Sequence, residues 1–494
     1  MILDQSSINM LRNRAIPRRG HVIDGRIETG GETLDVISPI DGCVLTQIAR
    51  GGAREVAQAT AAARRAFDTR VWAGQSPAAR KKVLTRLAAL IEAKALDLAV
   101  QGVRDNGTEI SMAFKAESGS AASTFRYYAE ALDKVYGEIA PTAGDILGLV
   151  HKEPVGVVGA ILPWNFPLMI GAWKIAPALA MGNSIVVKPA ESASLSILRL
   201  AELALEAGLP EGVFNVVTGK GSEVGEAMGL SMEIDILVFT GSGPVGRRLL
   251  EYSARSNLKR CYLELGGKSP NVVFGDVADL DHAAKVSAAG IFRNSGQVCV
   301  AGSRLIVERS IHDQFVDALC RHASALKVGD PLDLGSTVGA VHSAAQLEQN
   351  LRFVETALTE GAECALGGKR ILEETGGFYM QPTVMTGVAR DATLNQQEVF
   401  GPVLAVSTFD TEAEAIDLAN STVYGLASGL WTSNLSRAHR MVRAIRAGVV
   451  HVNTYGGADG TVPLGGVGQS GNGHDKSLHA LDKYVDLKTA WMQL

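Results

Sequence analysis

Apolar positions recur at helical spacing through the first hundred residues. In 53–67 and again in 77–100, apolar side chains return every three or four positions, which is the period of one helix face. From about residue 155, short β-branched runs alternate with helical stretches; the runs are Val155–Ile161, Ile185–Lys188, Val213–Thr218 and Ile234–Thr240. This alternation is typical of βαβ units, so the sequence predicts an α/β fold with a parallel sheet on which the N-terminal helices pack.

A second series of strands and helices follows the glycine turn at 266–270. Its predicted strands are Asn271–Phe274, Arg304–Glu308, Val403–Phe409 and Val449–Asn453. The alternation along Lys483–Leu494 predicts an edge strand that has no partner within the chain and pairs across subunits.

Composition narrows the function. A chain of 494 residues is too long for one core, and its net charge of −5 comes from scattered charges without a nucleic-acid footprint. The five cysteines lie far apart, without zinc-site spacing, which fits a reducing cytosol. The longest apolar run, Val155–Pro163, is far shorter than the roughly 20 residues that span a bilayer. We therefore expect a cytoplasmic enzyme for a small molecule, without a metal, a nucleic-acid partner or a membrane segment.

Two motifs hold candidate catalytic side chains. In Phe292–Arg304, Cys299 lies among glycines and small polar residues, as a nucleophile would, although most lone cysteines are buried and inert. In Pro163–Pro167, two prolines fix the backbone around Asn165, which is either an amide donor to a reacting atom or a turn cap.

A third motif has the spacing of a dinucleotide-binding turn. Gly241–Gly246 follows a predicted strand and opens a helix, and Glu264 lies 18 residues beyond it, where an acid binds the ribose in a simple Rossmann unit. However, Lys188 and Glu191 offer a competing pair at the end of an earlier strand. The residues alone leave Glu264 open as a ribose ligand, a paired surface acid or a catalytic base.

Taken together and in this order, these motifs resemble the aldehyde dehydrogenase superfamily from about residue 20 to the end. The matching segments are Pro163–Pro167, Lys188–Glu191, Phe239–Gly246, Glu264–Pro270, Phe292–Arg304, Gln397–Pro402 and Val462–Gly473. The resemblance implies an α/β aldehyde dehydrogenase fold in three parts, with a homodimer or homotetramer as the assembly. The three parts of the fold are a Rossmann-like NAD-binding domain (1–137 and 158–267), an α/β catalytic domain (268–476) and a small β oligomerisation extension (138–157 and 477–494).

The same resemblance implies residue roles. Cys299 is the nucleophile, Glu264 the general base, and Asn165 with the backbone N–H of Cys299 the oxyanion hole. The cofactor is NAD, with NADP as the second candidate, because a carboxylate such as Glu191 accepts from ribose hydroxyls and repels a 2′-phosphate. The implied cofactor contacts are Lys188, Glu191, Trp164, Gly221, Gly241, Ser242, Gly246, Glu398 and Phe400.

The chemistry explains these residue types. Cysteine attacks a carbonyl as a thiolate and leaves readily from a thioester. A fixed amide donor stabilises the negative oxygen by about 3–4 kcal/mol. A carboxylate with a raised pKa can then remove a proton from the water that hydrolyses the thioester.

The chain departs from the family pattern in three segments. Leu464, Gly468 and His474 replace the aromatic, lysine and arginine residues of the glycine-rich tail. Gln397 replaces the first acid of a Glu-Glu pair, and Thr108-Glu109 replaces Lys-Pro near the predicted substrate tunnel.

Three alternatives to this function stay open: a CoA-acylating relative, a non-catalytic protein on the same fold, and a simple Rossmann reductase.

The C-terminal run bears on the substrate. Ser470–Tyr484 and Leu487–Trp491 resemble the branch that oxidises γ-glutamyl-γ-aminobutyraldehyde, 4-guanidinobutyraldehyde and similar polyamine-derived aldehydes. Tyr455 and Asp459 follow a predicted strand and are expected to line the tunnel mouth, where Asp459 attracts an amino or guanidino group. The alternative is that Asp459 caps the next turn.

Overall fold

The computed structural model describes residues 3–457 and 459–494. Within these ranges the strands are β1 (His21–Ile23), β2 (Arg26–Glu28), β3 (Thr33–Ile37), β4 (Val44–Ala49), β5 (Glu138–Ala140), β6 (Ile146–Pro154), β7 (Val157–Ile161), β8 (Ser184–Lys188), β9 (Phe214–Val216), β10 (Ile236–Thr240), β11 (Arg260–Glu264), β12 (Pro270–Val273), β13 (Arg304–Glu308), β14 (Glu363–Leu366), β15 (Arg370–Ile371), β16 (Tyr379–Met380), β17 (Thr383–Thr386), β18 (Val403–Phe409), β19 (Ala427–Trp431), β20 (Val449–Val452) and β21 (Val485–Gln493).

Helices connect most of these strands. They are α1 (Gln5–Arg12), α2 (Ala53–Asp68), α3 (Pro77–Ala93), α4 (Ala95–Asn106), α5 (Ile110–Met112), α6 (Ser120–Ala131), α7 (Pro167–Ala180), α8 (Leu195–Glu206), α9 (Glu226–Leu230), α10 (Gly243–Ala254), α11 (Leu280–Phe292), α12 (His312–Ser324), α13 (Ala344–Thr359), α14 (Thr393–Gln396), α15 (Glu412–Ala419) and α16 (Leu435–Ala444). In the described part of the chain, no helix has the length and apolar character needed to cross a membrane.

Local sequence explains where several helices begin. Ser76 caps α3 by accepting a hydrogen bond from the backbone N–H of Ala79, and Pro77 occupies the first helical position. Asp279 caps α11 and Ser343 caps α13 in the same way. The helical pattern predicted over 77–100 is divided into α3 and α4, because Lys94 leaves the helical conformation at φ −108° and ψ 15°.

The first large sheet has the strand order β11-β10-β7-β8-β9-β1-β2. Strands β7 to β11 are parallel, and β1 and β2 extend the sheet in antiparallel pairing. Helix α2 packs on it, as predicted. The chain runs from β7 outward to β8 and β9, and then returns to place β10 on the other side of β7. This reversal creates a crevice at the carboxyl ends of β7 and β10, the place where open α/β sheets bind ligands.

The second large sheet has the order β14-β17-β18-β13-β12-β19-β20, with only β14 antiparallel. Strand β11 of the first sheet is joined to β12 by 265–269 alone. The loops at the carboxyl ends of β7, β8, β10 and β11 therefore meet loops at the amino ends of β12, β13 and β18, and the site lies between the two sheets.

The prediction that the C-terminal strand has no partner within the chain is wrong. Strand β21 pairs antiparallel with β6 of the same chain over its whole length, from Val485 opposite Pro154 to Gln493 opposite Ile146. Strand β5 lies on the other side of β6, so β21 is an edge of this three-stranded sheet. Sequence alternation shows that a strand is present but not which distant segment pairs with it.

Candidate active site

The predicted ribose pair lies at the carboxyl end of β8. The Lys188 side chain is almost fully buried, and its Nζ lies 2.7 Å from Glu191 Oε2. The backbone N–H of Gly221 lies 3.4 Å from Glu191 Oε1. Burial raises the pKa of Glu191, but the Lys188 ammonium outweighs it and holds the pKa below its usual value. The pair thus presents an ionised carboxylate beside the crevice.

The predicted pyrophosphate turn lies one loop away, after β10. Ser242 is the N-cap of α10, and its side chain makes no capping hydrogen bond. The first turn of α10 therefore carries backbone N–H groups and a positive partial charge toward the crevice, which favours an anion. At Gly246 a Cβ atom would lie 2.9 Å from Leu265 Cδ2, so glycine allows α10 to pack closely on the end of the sheet. Gly241 likewise lies against the ring of Phe239.

An aromatic group forms the inner wall of the crevice. Trp164 stacks on the imidazole of His342 at 4.2 Å between ring centroids, and the edge of Phe400 meets Trp164 at 5.2 Å. The His342 Nε2 lies 2.7 Å from Ser192 Oγ. Burial lowers the pKa of His342 to about 4, so the ring is neutral at pH 7. His342 was missed from the sequence, because nothing in its local pattern distinguishes it from a surface histidine.

Glu398 lies against the glycine turn between the two sheets. The backbone N–H of Gly267 donates to Glu398 Oε1 at 2.9 Å. Gly266 has no side chain, and the Glu398 carboxylate lies where a Cβ atom of residue 266 would be. Burial raises the pKa of Glu398 to about 7. Lys268 is fully buried beside it, and burial lowers the pKa of this lysine to about 7.

Three consecutive left-handed residues precede Cys299. Asn294, Ser295 and Gly296 have φ values of 49°, 51° and 71°. Thr108 Oγ1 donates to Asn294 Oδ1 at 2.8 Å, and Ser295 Oγ donates to the carbonyl of Gly339 at 2.8 Å. These bonds, made from another part of the chain, offset a conformational cost of about 1–2 kcal/mol for each non-glycine residue.

The turn places Cys299 between the crevice and a large cavity. Burial raises the pKa of the Cys299 thiol to about 12, and the carboxylates of Glu398 and Glu264 raise it as well. Asn165 is buried nearby, and its Nδ2 donates to the carbonyl of Gln297 at 2.9 Å. The predicted amide donor therefore contacts the segment that carries the predicted nucleophile, two residues before it.

Glu264 ends β11 with its carboxyl directed into the protein. The tail 470–473 pairs with this strand end: the Leu265 N–H donates to the Ser470 carbonyl at 2.9 Å, and Glu264 bridges to Gly471. Burial raises the pKa of Glu264 well above its usual value, and the charge of Asp475 raises it too. The Glu264 Oε1 atom is buried and has no protein hydrogen-bond partner.

A buried charge cluster lies next to Glu264. Asp475 accepts hydrogen bonds from Lys174 Nζ at 2.8 Å and from Lys483 Nζ at 2.6 Å, and all three side chains are at most 7% exposed. The two lysines lower the pKa of Asp475 despite its burial. Sequence analysis missed both lysines. The one available signal was Lys174 itself, a charge in the otherwise apolar helix α7.

The cavity next to Cys299 has a volume of about 930 Å³. Val298 and Val300, the neighbours of Cys299, line it, and the hydroxyl of Tyr455 donates to the Val300 carbonyl at 2.9 Å. The cavity is also lined by ring-bearing and charged side chains. The rings are Tyr127, Tyr128, Phe166, Trp173 and His451, the acids are Glu109 and Asp459, and the bases are Lys115, Arg293 and Lys476. Asp459 is exposed and accepts from the Thr461 N–H at 2.8 Å, so it does cap a turn at the cavity rim.

The departures from the family pattern have structural consequences. Glu109 lines the cavity and accepts from the Asn294 N–H at 3.3 Å. Leu464 also lines the cavity, and His474 is exposed with its ring against Gly465. Gly468 has φ 60°, a conformation that glycine adopts more easily than the family's lysine.

Comparison with known proteins identifies this arrangement. The model of the "Aldehyde dehydrogenase family" matches residues 27–490. The chain belongs to the aldehyde dehydrogenase family. It is 47% identical to the NADP/NAD-dependent aldehyde dehydrogenase PuuC of Escherichia coli K12 over 463 residues, which cover 94% of this chain and 93% of that relative.

Solved structures agree with the family. The indole-3-acetaldehyde dehydrogenase AldA of P. syringae, solved with NAD⁺ and IAA, superposes with a TM-score of 0.98 at 47% identity. The γ-glutamyl-γ-aminobutyraldehyde dehydrogenase of Burkholderia cenocepacia superposes with a TM-score of 0.97 at 48% identity. Each comparison covers 100% of both chains. The predicted α/β aldehyde dehydrogenase fold is confirmed, and the protein is an NAD(P)-dependent aldehyde dehydrogenase similar to the predicted branch.

The buried His342 gives the enzyme a specific acid sensitivity. Its pKa of about 4 in the folded chain lies below the value of about 6.5 of a free histidine. The stability it contributes is complete above about pH 6.5 and is lost as the pH falls toward 4. At pH 5 this linkage amounts to about 2 kcal/mol.

We therefore expect His342→Leu to reduce the loss of stability between pH 8 and pH 5, measured as the urea midpoint of unfolding. His439→Leu, which removes an exposed histidine, is the matched control and should keep the acid sensitivity of the wild type. Identical acid sensitivity in His342→Leu would contradict the assignment.

Proposed function

We propose that this aldehyde dehydrogenase works through a thioester on Cys299, with Asn165 as the oxyanion donor and Glu264 as the base of hydrolysis. The observation that carries the proposal is the position of Cys299, shortly after a strained turn and between Val298 and Val300, which line the cavity. An aldehyde entering the cavity reaches the thiol from one side, and the crevice opens on the other. Bound NAD supplies the hydride acceptor.

The crevice fits such a cofactor. Lys188 and Glu191 present a charged pair for ribose hydroxyls, the amino end of α10 with Gly241 and Ser242 suits a pyrophosphate, and Glu398 suits the second ribose. Gly221, Gly246, Trp164 and Phe400 complete its walls. Because Lys188 already pairs with Glu191, the carboxylate dominates the ribose site and favours NAD over NADP.

The residues divide the chemistry into two steps. With its pKa raised, the thiol must transfer its proton to a base before or during attack, and the facing carboxyls are Glu264 and Glu398. The new oxyanion then lies beside the Asn165 amide. After oxidation, Glu264 takes a proton from the attacking water, and its raised pKa makes it a strong base once ionised. A CoA-acylating enzyme would not require this base.

For the substrate we propose an ω-amino or guanidino aldehyde. Support comes from the similarity to the γ-glutamyl-γ-aminobutyraldehyde dehydrogenase and from the aromatic walls of the cavity, which suit a cationic group. Asp459 at the rim adds a negative charge, although it also caps a turn and lies near Lys476. The rim thus carries both signs of charge.

We also propose the domain division predicted above, a homodimer or homotetramer, and a cytoplasmic location. Apart from Val157, the first residue of β7, the strands of the first large sheet fall within 1–137 and 158–267, and those of the second fall within 268–476. The exposed apolar side chains Ile139 (76%), Leu487 (67%) and Trp491 (67%) on the β5-β6-β21 sheet support contact with a second copy.

Replacement of the nucleophile tests the central assignment. Cys299→Ala should abolish aldehyde oxidation, measured as formation of reduced cofactor, while the dissociation constant for NAD changes little, because the thiol does not hold the dinucleotide. Cys43→Ala, which removes an exposed cysteine, is the control and should retain activity. Substantial turnover by Cys299→Ala would refute the thioester route.

Glu264→Gln distinguishes a base from a ribose ligand. If Glu264 is the base, a rapid burst of about one reduced cofactor per active site should precede very slow turnover, because the acyl-enzyme forms but is not hydrolysed. Stopped-flow absorbance measures the burst. A main effect on NAD affinity, with no burst, would favour the ribose interpretation.

The substrate proposal is tested by kcat/KM for 4-aminobutyraldehyde and 4-guanidinobutyraldehyde against an uncharged aldehyde of equal length. We expect the charged aldehydes to be preferred, and Asp459→Asn to lower that preference about threefold, since an exposed carboxylate contributes little. Asp391→Asn, an exposed change outside the cavity, is the matched control. Equal values for all aldehydes in the wild type would leave a broad aldehyde dehydrogenase.

A further inference from the structure

Three buried ionisable groups meet behind Glu264, and their charges can be counted. Lys174 and Lys483 carry one positive charge each, and Asp475, hydrogen-bonded to both, carries one negative charge. These three groups therefore leave one positive charge inside the protein. An uncompensated charge in such a place is costly, so it favours a neighbouring group that can take the opposite charge.

Glu264 is the group placed to do so. Its buried Oε1 has no protein hydrogen-bond partner, and Lys174 and Lys483 both act on its carboxyl to favour ionisation. The backbone pairing of 470–473 with the end of β11 fixes Asp475 and Glu264 in one layer. With Glu264 ionised, the four groups sum to zero.

We propose that Lys483 is a positioning residue whose ammonium, held by Asp475, balances the charge of ionised Glu264 and so sets the pH range in which Glu264 works. The inference rests on the proposed role of Glu264 as the base. Without Lys483, the Lys174–Asp475 pair is neutral by itself, and Glu264 then stays protonated to higher pH.

The other groups facing this cluster do not supply the missing charge. Tyr128 and Tyr484 are buried next to Asp475, and burial raises the pKa of both hydroxyls far above neutral pH. The Lys483 ammonium lies 5.5 Å from the Tyr484 ring centroid. Cys299, on the opposite side of Glu264, is a protonated thiol at neutral pH.

Lys483→Gln is the decisive variant, because the amide can still donate to Asp475 while the charge is lost. In single-turnover hydrolysis of the acyl-enzyme, the acidic limb of the pH profile should move to higher pH. The rate at about pH 6 relative to that at about pH 9 should fall about tenfold. Lys483→Arg should keep the limb near its wild-type position. Lys488→Met, an exposed change on β21, should leave the whole profile unchanged.

Asp475→Asn provides a test by charge compensation. This variant leaves two ammonium groups facing Glu264 and should move the limb to lower pH. Adding Lys483→Gln to it restores a neutral Lys174–Glu264 pair, so the limb should return upward toward the wild type. A purely structural role for Lys483 predicts the opposite, a double variant that is worse than either single one. Absence of the upward move would overturn the proposal, and the Asp475→Asn background alone decides if Lys483→Gln by itself does not fold.

Infrared titration separates this inference from the function of Glu264. The protonated carboxyl band of Glu264 is identified by its absence in Glu264→Gln. If the band titrates at higher pH in Lys483→Gln, the charge balance is supported. If the band moves but the acidic limb of the hydrolysis rate does not move with it, the assignment of Glu264 as the base is wrong and the charge balance is still supported. A band that does not move refutes the role of Lys483.

Discussion

The left-handed turn at Asn294, Ser295 and Gly296 is the constraint on which the catalytic arrangement depends. It bends the chain after α11 so that Cys299 projects between the two large sheets. Gly296 has no substitute there, because a Cβ atom would overlap the carbonyl of Gly401. The strain is held by bonds from distant segments, so the proposed nucleophile, Cys299, is positioned by the assembled fold and not by its own motif.

The same dependence on assembly holds for the charges. Glu264 comes from the end of one sheet, Lys174 from a helix packed on it, and Asp475 and Lys483 from the tail. Close packing removes water from all four side chains. This raises the pKa of Glu264 and strengthens the electrostatic interactions among the charges that remain.

How much of the fold and of the site can be predicted from the sequence depends on how far apart along the chain the interacting residues lie. Strands β13 and β18 were predicted with their observed bounds, because their apolar runs and turns are local signals. The motifs around Cys299, Glu264 and Asn165 predicted the family, which is confirmed, and they supply the residues that we propose for the site. The pairing of β21 with β6, the stacking of His342 on Trp164 and the ion pair of Lys174 with Asp475 were not predictable, since each joins segments more than a hundred residues apart through contacts that leave no periodic pattern.

The position of 470–483 near the end of the chain has a consequence for folding during synthesis. Lys174 leaves the ribosome 301 residues before Asp475, its only carboxylate bond among those described. During that interval Lys174 has no Asp475 to pair with, so the charge cluster behind Glu264 cannot form. It forms only when 470–483 lies against the end of β11. A chain that stops before residue 475 carries the Cys299 motif without the charges of Asp475 and Lys483.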